Sequence, residues 1–367
     1  MRVLLVAPSY PPESTRPAAR VAEALATELV GAGETVAVAT RRPGPAPPTP
    51  RTYIDGREGV SVHWLAGGGW RLARPSAPDR ELDRLFEASV ADFRPDLVHV
   101  LDLEEGSPEA MSVARRWGAR TVADVEGLQP LPAGLEHAIY PSSEAAAHGA
   151  RATAGGVQAH VVPGCALLDP AVASVGPKMT PEERGSLQVA AIGEVEPPDG
   201  LEAVLDSLRL AGLGRVELTV LGRVLDDRRA RSLRVAAEAI PGLRLGLFGS
   251  FEPRELAGLL ADVDCVLVPS EPSRSASVDT LHALACGAPV AGARVDGLPD
   301  SATSPSDVLS FDPRSPAELA GLLGRIGTDR VFLEELRAAA RGARVLRPAE
   351  RARAVREVYT RALAADP

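Results

Sequence analysis

Asp264–Val290, DCVLVPSEPSRSASVDTLHALACGAPV, is the stretch whose reading decides the fold. Cys265–Val268 is a short apolar run bounded by turn-forming residues, the pattern of a buried strand. A serine-rich loop follows, then a short helix closed by Gly287, and Pro289–Val290 open the next strand. Open α/β sheets build anion and nucleotide sites where an apolar strand feeds a loop and a helix start. The helix start supplies unpaired backbone N–H groups and the positive end of the dipole.

The same alternation runs outward in both directions. Before this stretch, strands are predicted at Val3–Ala7, Thr35–Thr40, Val60–Leu65, Leu97–Leu101, Thr121–Val125, Ala138–Tyr140 and His160–Pro163. Helices fall between them. Pro17–Gly31 places Val21, Leu25 and Leu29 on one face, and others are expected near Glu81–Phe93, near Pro108–Trp117 and from Ser143. Pro43–Pro50 reads as a proline-rich loop. After residue 185 the pattern restarts with strands at Leu187–Gly193, Val216–Gly222, Leu243–Gly249, Cys265–Ser270, Ala288–Ala293 and Val308–Phe311, and a last helix at Ala349–Ala364. Strands alternating with helices imply parallel sheets covered on both faces. The expected organisation is α/β: a doubly wound Rossmann-like domain at 1–170, a linker at 171–185, and a second such domain at 186–347. Residues 348–367 form a helix that returns to the first domain. A cleft between the strand carboxyl ends is the expected ligand site.

Composition bounds the function. A chain of 367 residues suits two domains, and 45% hydrophobic with 24% charged residues is ordinary for a water-soluble protein. A net charge of −9 argues against a nucleic-acid footprint or an anionic membrane surface. Lys178 is the sole lysine, and with abundant Ala, Gly and Pro this points to a GC-rich bacterial genome. Cys165, Cys265 and Cys286 are widely spaced and show no metal-ligand pattern, so they read as reduced thiols of a cytoplasmic protein. The apolar run of MRVLLVAPSY is too short for a signal peptide or transmembrane segment.

Pro269–Ser270 and Ala283–Val290 (ALACGAPV) resemble the donor-site signature of family-4 retaining glycosyltransferases, which have the GT-B fold. In that family a P-S pair ends the strand, and a pair of glutamates with seven residues between them runs into E-A-x-A-x-G-x-P-V. Further fragments follow the family in order: Tyr10–Glu13 (YPPE), Leu97–Asp102 (LVHVLD), Pro141–Glu144 (PSSE), Val161–Gly164 (VVPG), Ile192–Gly193 through Gly200–Leu201, and Gly297–Asp300 (GLPD). The resemblance implies a GT-B protein using a nucleotide-diphosphate sugar as co-substrate, with no metal or other cofactor.

The polar residues inside those motifs depart from the family. Its phosphate-binding Arg and Lys fall on Glu194 and Asp199, where two anions would repel a diphosphate. Its two glutamates fall on Arg274 and His282 when anchored by Ala283–Val290. In another register Glu271 and Asp279 have the acid spacing, although Asp279 also suits the first turn of a helix and Glu271 a solvated loop. A rewired donor site would use Gly193, Arg223, Ser273, Arg274, Ser275 and Ser277 on the diphosphate, His282 as a further donor, and Glu271 or Asp279 on sugar or ribose hydroxyls. The serines suit helix capping equally, and His282 suits a packed helix residue. On the acceptor side the family's Gly-Gly pair falls on Thr15 and Arg16, and Glu126 falls near a family histidine. Asp102, at a strand end, either orients an acceptor hydroxyl or caps a helix. Asp102 and Glu271 are the candidate catalytic residues. His99, mid-strand, reads as a satisfied buried histidine.

Two functions stand ahead of a third, an unrelated two-domain binding protein or epimerase that shares the architecture. One is sugar transfer to a small-molecule or saccharide acceptor through a divergent donor site. The other is a catalytically inactive GT-B protein that binds a ligand or a partner, such as an active glycosyltransferase.

Overall fold

The computed structural model describes residues 1–14, 16–44, 47–67, 80–103, 109–125, 131–152, 156–168, 179, 181–193, 195, 199–224, 226–269, 274–293 and 308–364, with the side chains of 109, 150–152 and 274–276 excepted. The chain divides into two compact units, Met1–Cys165 with Leu346–Pro367, and Ala166–Val345.

The first unit runs β1 (Arg2–Ala7), α1 (Pro17–Gly31), β2 (Thr35–Arg41), β3 (Arg51–Arg57), β4 (Val60–Ala66), α2 (Arg80–Phe93), β5 (Leu97–Val100), α3 (Glu109–Arg116), β6 (Arg120–Asp124), β7 (His137–Tyr140), α4 (Ser143–Ala152) and β8 (Gln158–Val161). Its sheet has the order β3-β4-β2-β1-β5-β6-β7-β8. Every described pairing is parallel except β3 with β4. The second unit runs α5 (Pro181–Arg184), β9 (Leu187–Ile192), α6 (Leu201–Ala211), β10 (Val216–Leu221), α7 (Asp227–Glu238), β11 (Leu243–Gly249), α8 (Pro253–Leu259), β12 (Cys265–Val268), α9 (Arg274–Ala285), β13 (Val290–Ala293), β14 (Val308–Phe311), α10 (Pro316–Thr328) and α11 (Arg330–Gly342). Its all-parallel sheet has the order β11-β10-β9-β12-β13-β14. The chain then rejoins the first unit as α12 (Pro348–Ala364).

The central strands bury both faces, because successive side chains of a strand point to opposite sides. In β1, Val3 and Leu5 pack with α1 and α12 residues Leu25, Leu29, Val355 and Tyr359. Leu4 packs on the other face with Phe86, Val90 and Met111. In β9, Val189 and Ala191 join one core with Val204 and Leu205 of α6 and Leu323 of α10. Ala190 and Ile192 join another with Leu256 and Leu284.

The helix limits follow local chemistry. Pro17 stands at the start of α1, where its missing N–H costs nothing, and Gly33 leaves the helix with φ 87°. Strand β3 is absent from the sequence expectations, because RTYIDGR carries no continuous apolar face. It forms through a two-residue turn in which Glu58 (φ 47°) and Gly59 (φ 83°) are both left-handed, the twist that suits a tight hairpin. Part of the expected linker at 171–185 has regular structure. Residues 181–184 are a helical turn of the second unit, and Arg184 makes an ion pair with Asp264.

Two buried carboxylates organise these units. In the first, His99 on β5 is fully buried between Tyr359 of α12 (Nδ1 to Oη 2.7 Å) and Asp124 of β6 (Nε2 to Oδ1 3.2 Å). An ionised Asp124 only accepts, so His99 Nε2 donates to it and, in the neutral ring, Nδ1 accepts the Tyr359 hydroxyl proton. Arg351 of α12 donates to the other Asp124 oxygen at 2.8 Å. In the second unit, Asp264 accepts from Arg337 of α11 at 2.8 Å, from the Gln188 N–H at 2.9 Å, and from Arg184. No described helix is long and apolar enough to cross a membrane.

At the β7–β8 edge, the His137 and His160 rings stack, with Nδ1 to Nε2 3.0 Å apart. One nitrogen must donate and the other accept, so the pair does not tolerate two protons. Burial lowers both pKa values; Arg120 lowers His137 further against Glu136, and His137 and Arg361 lower His160 further. The unfolded chain therefore binds these protons at a higher pH than the native one, and stability falls as the pH drops below the ordinary value of 6.5. Urea midpoints measured between about pH 7.5 and 5.5, on either side of that value, should fall less steeply for H137Q/H160Q than for the wild type; equal slopes would refute the assignment.

Candidate functional site

In strand order the second sheet reads third, second, first, fourth, fifth, sixth, so its direction of winding reverses between β9 and β12. Helices leave the two strands toward opposite faces there, which opens a crevice at their carboxyl ends. Gly193 follows β9 with φ 149°, and its N–H donates to the Leu221 carbonyl at 3.1 Å. Gly200 precedes α6 with φ 72°, and a Cβ on it would lie 2.2 Å from the Pro269 carbonyl oxygen. Only glycine lets the start of α6 approach the end of β12 this closely.

Asp199 is buried beside this contact. Its Oδ1 accepts the Leu201 N–H at 3.0 Å at the start of α6, and Arg229 of α7 donates to both its oxygens, at 2.6 and 3.1 Å. Arg229 also donates to Glu202, at 2.5 Å to Oε2 and through a second contact to Oε1. The repulsive charge expected of Asp199 is thus corrected: a guanidinium 30 residues away neutralises it. The sequence signal for Arg229 was slight, one arginine among several on an amphipathic helix. Glu194 lies outside the described residues.

On α9, Ser277, Asp279 and His282 are all buried. Ser277 Oγ and Thr280 Oγ1 have no hydrogen-bond partner among the described residues. His282 is not turned toward a ligand. Its Nε2 accepts the Leu167 N–H at 3.1 Å, and burial pushes its pKa down to about 4, so it is a neutral acceptor and not a cation for phosphate. Arg223 is exposed after β10, and its carbonyl accepts the Val195 N–H at 2.9 Å. Glu271 and Ser273 lie outside the described residues, as do the side chains of Arg274 and Ser275.

In the first unit Asp102 is half-buried just past the end of β5, and the Leu101 N–H donates to the Val6 carbonyl at 2.9 Å. Arg16 is the residue before α1, with its N–H 3.4 Å from Ser14 Oγ and no side-chain cap. Ser142 Oγ accepts the Ala145 N–H at 3.1 Å and so caps α4, a structural role for that serine. Thr15 and Glu126 lie outside the described residues. Among the described residues, no group of three His, Cys, Asp or Glu side chains could hold a metal ion.

Gly200→Ala should lower stability by more than the roughly 1–3 kcal/mol of a strained backbone, since its Cβ also meets a carbonyl oxygen. Chemical denaturation checks this, and a neutral result would remove the close approach from the account.

The family model described as "Glycosyl transferase 4-like domain" matches residues 18–181, and the one described as "Glycosyl transferases group 1" matches 186–329. Comparison with curated proteins finds no significant sequence match. Among solved structures, the sucrose-phosphate synthase of Thermosynechococcus elongatus superposes with TM-score 0.73 at 16% identity, covering 100% of both chains. An E. coli trehalose-6-phosphate protein bound with UDP-2-fluoro glucose gives 0.70 at 10% identity, again over 100% of both chains. The UDP-forming trehalose-phosphate synthase of Burkholderia xenovorans, in complex with glucose-6-phosphate, gives 0.71 at 12%, covering 99% of this chain and 100% of the other. With both halves matched by these families and the fold shared over the full length, the chain belongs to the family-4-like glycosyltransferases of the GT-B fold.

Proposed function

We propose that this chain binds a nucleotide-diphosphate sugar at the carboxyl ends of β9 and β12 and transfers the sugar to a small-molecule or saccharide acceptor. The observation that carries this reading is Ser277, a buried hydroxyl near the start of α9 with no partner among the described residues. Leaving such a group unsatisfied costs about 1–3 kcal/mol. A phosphate oxygen at the helix start would accept from it and from the free backbone N–H groups. In this reading Arg223, Arg274, Ser273 and Ser275 complete the diphosphate site beside Gly193, and Glu271 or Asp279 holds sugar or ribose hydroxyls. Asp102, Thr15, Arg16 and Glu126 belong to the acceptor side. The bound UDP-sugar analogue and glucose-6-phosphate of the structural relatives put UDP-sugars and sugar phosphates first among compounds to test.

One observation favours the alternative, a catalytically inactive protein that binds a ligand or a partner glycosyltransferase. Arg229, the cation that reaches the family's lysine position, is engaged by Asp199 and Glu202. It is not free to compensate a leaving diphosphate.

Calorimetry against UDP, GDP, ADP, dTDP and their sugars separates the two. Ser277→Ala should weaken binding of one nucleotide by about 3- to 10-fold, or roughly 1 kcal/mol, while leaving the unliganded protein as stable or more so. Arg274→Ala should weaken the same ligand. A folded protein silent across the panel favours the inactive reading.

A further inference from the structure

The edge of the second sheet carries another cleft. It lies between α7 and the carboxyl end of β11 and has a volume of about 240 Å³. Strand β11 is two strands from β9 and three from β12, about 10 and 14 Å at the usual spacing. Val224 on its wall directly follows Arg223, so the cleft borders the crevice at which donor binding is proposed. Arg231, Arg234, Leu247 and Phe248, however, lie on α7 and β11 and have no part in that proposal.

Its walls combine two kinds of surface. Val224, Ala230, Leu247 and Phe248 supply an apolar body, and Phe248 is 53% exposed. Arg231 and Arg234, three residues apart on one face of α7, both line the cleft. Both are exposed, and neither has a hydrogen bond or ion pair among the described residues. Asp227 also lines it, leaving a net charge of one positive. Asp227 stands in the first turn of α7, where the helix dipole holds its charge.

A guanidinium offers planar paired donors suited to carboxylate and phosphate oxygens. Two of them beside an exposed aromatic ring, in a chain of net charge −9, form a local basic and apolar recess. We propose that the α7–β11 cleft binds a small organic anion, a carboxylate or phosphate monoester carried on an aromatic or branched aliphatic body. Its charged end pairs with Arg231 and Arg234, and its body covers Leu247 and Phe248.

The full chain, labelled with ¹⁵N, can be titrated with 3-phenylpropionate and phenyl phosphate and followed by amide shifts. Saturable shifts are expected at Val224, Ala230, Leu247 and Gly249, with Kd on the order of 1 mM or tighter. The R231A/R234A variant should bind at least about 10-fold more weakly. R231Q/R234Q, which keeps side-chain bulk, should behave alike, and unchanged melting curves would show that both variants fold. The uncharged 3-phenylpropanol should not saturate. Equal binding of the alcohol, unchanged affinity in both variants, or no saturable shift in the cleft would overturn the proposal. So would broadening at β11 that depends only on protein concentration, which would assign the edge to self-association.

Discussion

A carboxylate inside an apolar sheet must be paired, and each unit of this protein is organised around one. Asp124 and Asp264 sit at strand ends among residues that exclude water, where an unpaired charge would be very costly. Each is met by an arginine from a helix far along the chain, Arg351 of α12 and Arg337 of α11. Such pairs contribute little net stability, because desolvation offsets most of the attraction. Their effect is on arrangement: any other seating of α11 or α12 would leave a buried charge alone. For α12 this matters most, because it lies after the second unit in sequence and must find the sheet of the first.

The second constraint is the contact of Gly200 with the Pro269 carbonyl. It brings the start of α6 to the end of β12, at the reversal of strand order. Glycine at 200 therefore holds these two segments together at that crevice. Asp199, buried beside this contact, is met by Arg229 from a neighbouring helix. That ion pair, together with the Leu201 N–H bond to Asp199, keeps the helix start packed.

Much of the fold was legible because it rests on local patterns. The 3.6-residue spacing of Val21, Leu25 and Leu29 and the apolar runs of Val3–Ala7 and Cys265–Val268 announce helix and strand directly. Strand β3 was not legible, because RTYIDGR is held by its hairpin turn and by pairing with β4, not by an apolar face. The site was legible only as positions. His282 could be read as a phosphate donor or as a packed helix residue; it meets the Leu167 backbone, so its orientation depends on a segment 115 residues earlier.

The sequence by itself determined the alternation of strands and helices, the two sheets, and the strand ends at which motif residues gather, since periodicity and turn chemistry act over a few residues. The tertiary structure alone decided which charges are compensated and which polar groups are left over: Asp199 paired with Arg229, His282 turned inward, Ser277 unsatisfied among the described residues. The energy of a buried polar group depends on the partner within about 3 Å of it, and folding brings that partner from any point in the chain.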